Sequence, residues 1–145
     1  MNSNIQFKNG FSLVELMIAL VIMGILTSFV YPSYVELVVR GYRAEAMLHL
    51  TQLANRQQQY FADHRRYASN FTQLGYDSEI YLTEHGYYQL TIRPLTNIER
   101  DFVLTAQAVG AQSRDLNCSE FRLDSYGVKT AFADGMDNSQ SCWEL

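Results

Sequence analysis

Cysteine and proline are nearly absent, with only Cys118, Cys142, Pro32 and Pro94 among 145 residues. Two cysteines cannot form the dense disulfide framework of a core-poor secreted domain. They lack C-x-x-C spacing, and the three histidines (His49, His64, His85) lie far from them in sequence, which argues against zinc. Charge is also thin, at 18% of residues, and the 20 residues from Leu16 to Val35 contain no Asp, Glu, Lys or Arg. Basic residues number 11 against 15 acidic, a net charge of −4, which disfavours a nucleic-acid binder working by bulk charge. There is no nucleophile–base pattern, no Gly-rich phosphate loop and no H-E-x-x-H, so no cofactor or catalytic metal is implied and an enzyme is disfavoured.

The residues that are present divide the chain in two. Hydrophobic residues make up 48%, too many for a disordered chain. They are concentrated in the run from Phe11 to Val35, after which the sequence turns polar and rich in Tyr, Gln, Asn and Asp. A secretory signal has an apolar stretch of about 7–15 residues followed by an A-x-A-like site; this run is longer and no such site follows. About 20 apolar residues rising 1.5 Å each cover a ~30 Å hydrocarbon core, so the run predicts a membrane-spanning helix. Lys8 and the terminal amine place the N-terminus inside. Arg40 and Arg43 follow on the other side, but a long C-terminal domain is translocated despite such charges, giving N-in, C-out. In an exported domain Cys118 and Cys142 would most simply form one disulfide, with two free buried thiols as the alternative.

Glu15 breaks the apolar pattern, and a carboxylate there is costly enough to need a reason. Snorkelling to the headgroup level is the simple one. The order of residues supplies another. Gly10-Phe11-Ser12-Leu13-Val14-Glu15, with Lys8 before and about 20 apolar residues after, resembles the processing signature of type IV pilins and pilin-like proteins. The resemblance implies a leader (residues 1–10) cleaved between Gly10 and Phe11 by a prepilin peptidase, and N-methylation of Phe11. It implies that Glu15 pairs with the terminal amine of a neighbouring subunit during assembly, and pairing offsets the cost of two apolar-environment charges. It also implies a type IV pilin fold of α+β class: a long N-terminal spine helix, transmembrane in its first half (residues 11–32), packed on an antiparallel β-sheet within an exported head (residues 33–145), with a C-terminal loop bounded by a disulfide.

Gly24 and Pro32 weaken a helix by about 1 and 3 kcal/mol, and Pro32 removes the amide that would serve the Ser28 carbonyl. The resemblance implies that the span between them melts in a filament; a tolerated membrane kink is the plainer reading. Beyond Pro32, Val35, Val39, Tyr42, Ala46, Leu50, Leu53 and Tyr60/Phe61 recur at helical steps, predicting an amphipathic helix to about Asp63, with Gln57 the one polar interruption. Glu36 and Arg40 form an i,i+4 pair on its outer side. Gln57-Gln58-Gln59 reads as a solvated face. Together with the membrane run this makes one helix of about fifty residues.

Residues 64–86 show no sustained period and predict a loop with a short helical turn near Phe71–Gly75. Strands are expected at Tyr88/Leu90/Ile92, at Phe102/Leu104/Ala106 with Val103 and Thr105 opposite, and at Phe121/Leu123. Pro94 and Asn97 punctuate the first hairpin, and Ser125-Tyr126-Gly127 turns the last. The Tyr67-Ala68 and Leu74-Gly75 passage, the segment from Phe102 through Gln112, Asp115 and Cys118, and the ending Cys142-Trp143 resemble PilE-type minor pilins. That resemblance implies a minor subunit of a type IV pilus serving assembly, twitching motility, adhesion or DNA uptake. Its partners would be other pilin subunits, the pilus assembly machinery and the inner membrane. A type II secretion pseudopilin is the structural alternative.

Two ligand readings are weaker. Asp134-Gly135-Met136-Asp137-Asn138 offers oxygen ligands for calcium but lacks the full twelve-residue loop, and turns use the same residues. Some pilins of this subgroup are DNA-uptake receptors, which need an exposed basic stripe. The cysteine-bounded interval carries Glu120, Asp124, Asp134 and Asp137 against Arg122 and Lys129, which disfavours phosphate. Arg65, Arg66, Arg93, Arg100 and Arg114 could gather elsewhere.

Overall fold

The computed structural model describes residues 11–93, 95 and 100–144. Gly10 and the rest of the expected leader lie outside the described residues, as do Pro94 and Asn97. Helix α1 runs from Leu13 to His64, 52 residues. The chain divides into two units, one ending at Leu37 and one beginning at Val38.

In the first unit the apolar side chains from Leu13 to Leu37 are exposed, and the helix is long and apolar enough to cross a membrane. Backbone hydrogen bonding favours a helix wherever water is scarce, since it satisfies every donor within the segment. The helix continues through Gly24 and Pro32. Around them three hydroxyls bond back to main-chain carbonyls: Thr27 to Met23 (2.9 Å) and Gly24 (3.0 Å), Ser28 to Ile25 (2.7 Å), and Ser33 to Phe29 (3.3 Å). Such back-bonding competes with the helix's own hydrogen bonds and favours bending.

In the second unit α1 buries Ala46, Leu50, Leu53 and Gln57, spaced by four, three and four residues along one stripe. Val35, which begins the expected stripe, is exposed. Gln57 corrects the solvated-face reading. It is fully buried, its Nε2 donates to the Ala68 carbonyl (2.9 Å), and its Oε1 accepts from the Ala68 amide (2.8 Å). The amide thus completes the backbone of an irregular segment where no ladder can. Gln58 and Gln59 are exposed. After Arg65, held at φ 59°, the chain makes one 3-10 turn at Thr72–Leu74 that seats Phe71 and Leu74 in the core.

Six strands follow in an antiparallel meander, each pairing with the next: β1 (Tyr81–Leu82), β2 (Tyr88–Arg93), β3 (Val103–Ala108), β4 (Glu120–Asp124), β5 (Lys129–Ala133) and β6 (Met136–Asp137). Helix α2 (Ser139–Trp143) ends the head. The two-residue period puts Tyr88, Leu90, Leu104, Ala106, Phe121, Leu123 and Ala131 in the core shared with Ala46, Leu50 and Leu53. Each large apolar side chain buried there contributes about 1.5–3 kcal/mol over its exposed state. The opposite face shows Gln89, Thr91, Arg93, Val103, Thr105, Gln107, Glu120 and Arg122 around one open depression.

Three strands were expected and six are present among the described residues. β1 and β6 have two residues each, too few to show alternation. The expected C-terminal loop is also mostly ordered structure. A disulfide joins Cys118 to Cys142, with Cα atoms 5.8 Å apart, and the interval contains β4, β5, β6 and α2.

Candidate functional site

The residues expected to interact with a membrane or with neighbouring subunits lie on α1 or just before it. Phe11, whose amine would be methylated, and Glu15 are exposed, Glu15 in the first turn of the helix. A carboxylate there also suits the partial positive charge of a helix N-terminus. Gly24 has no neighbour within 4 Å of a Cβ built on it, so nothing among the described residues demands glycine at that point.

Residues that sequence reasoning left without a role build a polar clamp inside the head. Arg43 grips Asp115 through Nε–Oδ2 (2.7 Å) and Nη2–Oδ1 (2.8 Å), and the Asp115 side chain is only 3% exposed. Asp115 also accepts from Gln112 Nε2 (3.2 Å), Asn117 N (3.2 Å) and Cys118 N (3.3 Å). Gln112 Nε2 donates in addition to the Tyr88 hydroxyl (3.2 Å). Burial, partly offset by that hydrogen bond and reinforced by the Asp115 charge, pushes the Tyr88 phenol up to about 12. A bidentate, multiply bonded carboxylate is the arrangement in which a buried pair repays its desolvation. The clamp fastens the β3–β4 connection, which holds Cys118, to α1 and β2. Gln112, Asp115 and Cys118 belong to the stretch resembling PilE-type pilins; their spacing suggested kinship, while their partners are remote in sequence.

A second clasp holds the β1–β2 turn. Glu45 accepts from the His85 amide (3.1 Å) and contacts His85 Nδ1 (2.9 Å), while Tyr42 packs on Tyr87 at 4.2 Å between ring centroids. Burial alone would raise the Glu45 carboxyl, but hydrogen bonds from the His85 amide and ring and from the Thr83 hydroxyl hold it below the usual carboxylate value.

The Asp134–Asn138 cluster serves turn chemistry. Asp134 (φ 48°) and Gly135 (φ 81°) form the two-residue loop between β5 and β6, the conformation that Asp-Gly favours in hairpins. Asp137 accepts from the Ser139 amide (2.9 Å) and hydroxyl, and these bonds lower its pKa. Among the described residues no group of three His, Cys, Asp or Glu could hold a metal ion.

The basic residues sort into two ends. Strand register puts Arg93, Val103, Asp124 and Lys129 at one end of the sheet, where β2 turns into β3 and β4 into β5. Arg100 precedes Phe102 there, and Phe102 packs on Tyr67 at 4.8 Å, bringing Arg65 and Arg66 to the same end. Arg114, on the β3–β4 connection, lies at the other end. Counting charges over the cysteine-bounded interval therefore mixed separate surfaces. Glu120 pairs with Arg122, whose guanidinium lies over Phe132 at 4.3 Å, and Asp124 caps its own turn.

A long exposed apolar helix leading into a helix-on-sheet head closed by a C-terminal disulfide defines a type IV pilin-class subunit. Residues 6–31 match the prokaryotic N-terminal methylation motif, and residues 32–122 match the family described as "Type IV minor pilin ComP, DNA uptake sequence receptor". The chain belongs to that family of type IV minor pilins. It is 33% identical over 72 residues to the type IV major pilin PilA of Myxococcus xanthus, covering 50% of this chain and 33% of that protein. It is 34% identical over 68 residues to a fimbrial protein of Neisseria meningitidis (47% and 40% covered), and 32% identical over 68 residues to the major pilin PilE1 of Neisseria gonorrhoeae (47% and 41%). The chain thus spans a third to two fifths of the length of these relatives. A type IV pilin structure from Shewanella oneidensis superposes with a TM-score of 0.49 at 23% identity, over 63% of this chain and 89% of that one.

Proposed function

We propose that this protein is a minor structural subunit of a type IV pilus. It is made with residues 1–10 as a leader, inserted N-in and C-out in the inner membrane through residues 11–32, and cleaved between Gly10 and Phe11 by a prepilin peptidase. With Phe11 methylated, it joins other pilin subunits through that helix, and residues 33–145 form the exported head. Glu15 pairs with a neighbour's terminal amine, and the stretch from Gly24 to Pro32 unwinds on packing. One observation carries this reading: a methylation-motif sequence opens a helix whose apolar side chains stay exposed through Leu37. Glu15→Val should insert in the membrane but be depleted from sheared pili; incorporation equal to wild type would remove the pairing role. The matched names favour a pilus over a type II secretion pseudopilin.

A second reading, capture of DNA by the head, is favoured by the description of the matching family and by the clustering of Arg65, Arg66, Arg93, Arg100 and Lys129 at one end. Binding should weaken steeply with salt, and Arg93→Gln with Arg100→Gln should flatten that dependence. Salt-independent binding would count against it.

A further inference from the structure

Seven of the ten tyrosines (42, 60, 67, 76, 81, 87 and 88) pack against another ring. Tyr31 and Tyr34 lie on the apolar part of α1. Tyr126 is the remaining one, 74% exposed at the tip of the β4–β5 hairpin, with no ring contact among the described residues. A single exposed tyrosine carries no message, but two features of this one do.

Its backbone is held firmly. Asp124 Oδ1 accepts from Tyr126 N (2.9 Å) and Val128 N (2.8 Å), Asp124 N donates to the Val128 carbonyl (3.2 Å), and Ser125 N donates to the Phe102 carbonyl (3.0 Å). Gly127, at φ 82°, supplies the left-handed residue the turn needs. The backbone that carries the ring is therefore already ordered before binding. Cations lie at this end of the head on both faces of the sheet: Arg93 on the open face with Thr91, Lys129 on the other with its ammonium over the Trp143 ring (5.2 Å), and Arg100, Arg65 and Arg66 near the same end. Of the described acids there, Asp124 is occupied by the turn and Asp101 is buried and accepts from the Leu95 amide (2.9 Å), leaving Asp63 and, in the same depression as Arg93, Glu79 exposed. β2 and β5 are three strand spacings apart, roughly 14 Å, which covers about four base-pair rises of a duplex.

We propose that Tyr126 is the base-contacting residue of a DNA surface, its ring stacking at a flexible base step while the surrounding cations hold phosphates. The inference rests on the DNA-capture reading above. An aromatic ring stacks on any base, which an aliphatic side chain cannot do, so Tyr126 supplies contact energy that is independent of salt. Val128, exposed beside it, would shield the opened step from water.

The test uses the full-length chain in detergent micelles and a fluorescent 20-base-pair duplex rich in pyrimidine–purine steps, titrated at several salt concentrations. Tyr126→Leu and Tyr126→Ser should bind roughly ten-fold or more weakly with the wild-type salt slope, and Tyr126→Phe should bind as wild type. Lys129→Gln should instead lower the slope by about one. Thermal melts matching wild type confirm that the variants fold. If the Leu and Ser variants bind as wild type, or lose slope with affinity, the role of Tyr126 is refuted while DNA capture stands. If the wild-type chain fails to bind the duplex, both readings fall.

Discussion

Asp115 shows how much one side chain organises in this head. It takes two bonds from Arg43 and three more from Gln112, Asn117 and Cys118, almost out of water. Removing one partner of a buried pair leaves the other charged and unpaired, typically at a cost of 3–5 kcal/mol. Asp115→Ala should therefore lower the head's unfolding free energy, read from denaturant titration, by an amount of that order, and Asp115→Asn by less, because one acceptor remains. Equal stability of Asp115→Ala and wild type would contradict the clamp. Glu45 makes a pH-dependent contribution. Its folded-state pKa lies below its unfolded value, so its stabilisation is complete above the ordinary carboxylate range and is lost as pH falls through the lowered folded value. Glu45→Gln should flatten that part of the acid limb of a stability–pH profile and leave its shape above pH ~6 unchanged; an unaltered acid limb would contradict the clasp.

At the scale of elements, α1 and the three expected strands were legible because each buries a repeating stripe or alternation, down to a helix end within one residue of Asp63. β5 was not, because Lys129-Thr130-Ala131-Phe132-Ala133 turns only Ala131 fully inward. β1 and β6 are too short to declare themselves. Gln57 misled because a buried glutamine makes sense only once the Ala68 backbone is seen to need it. The disulfide was expected from export, but what it fastens was not. It ties the start of β4 to α2, where Trp143 donates from Nε1 to the Thr130 carbonyl (2.9 Å) and packs edge-on to Phe121. An interval of about 25 residues gives roughly 3–4 kcal/mol by loop-entropy reasoning. Replacing both cysteines with serine should cost about that much, with hydrogen exchange rising first in β5, β6 and α2 while the Ala46–Leu53 turns of α1 stay protected. Uniform loss of protection would contradict this order.

At the scale of the whole molecule, the candidate sites differed in legibility for a physical reason. The signature from Gly10 to Glu15 is contiguous and could be read directly. The cationic end is assembled from the end of α1, the β2–β3 turn and the β4–β5 turn, segments far apart in sequence, so net charge and interval charge both concealed it. The two units also place opposite demands on water. Residues 11–37 expose apolar side chains over their whole length, which water disfavours, while the head closes its own core. A membrane and then a filament interior would relieve that demand, and processing at Phe11 links the two states. The most direct measurement is intact and N-terminal peptide mass spectrometry of the protein recovered from sheared pili. A chain beginning at Phe11 and carrying one added methyl group is expected; pilus-assembled chains that still begin at Met1, or an unmodified Phe11, would contradict processing at that position.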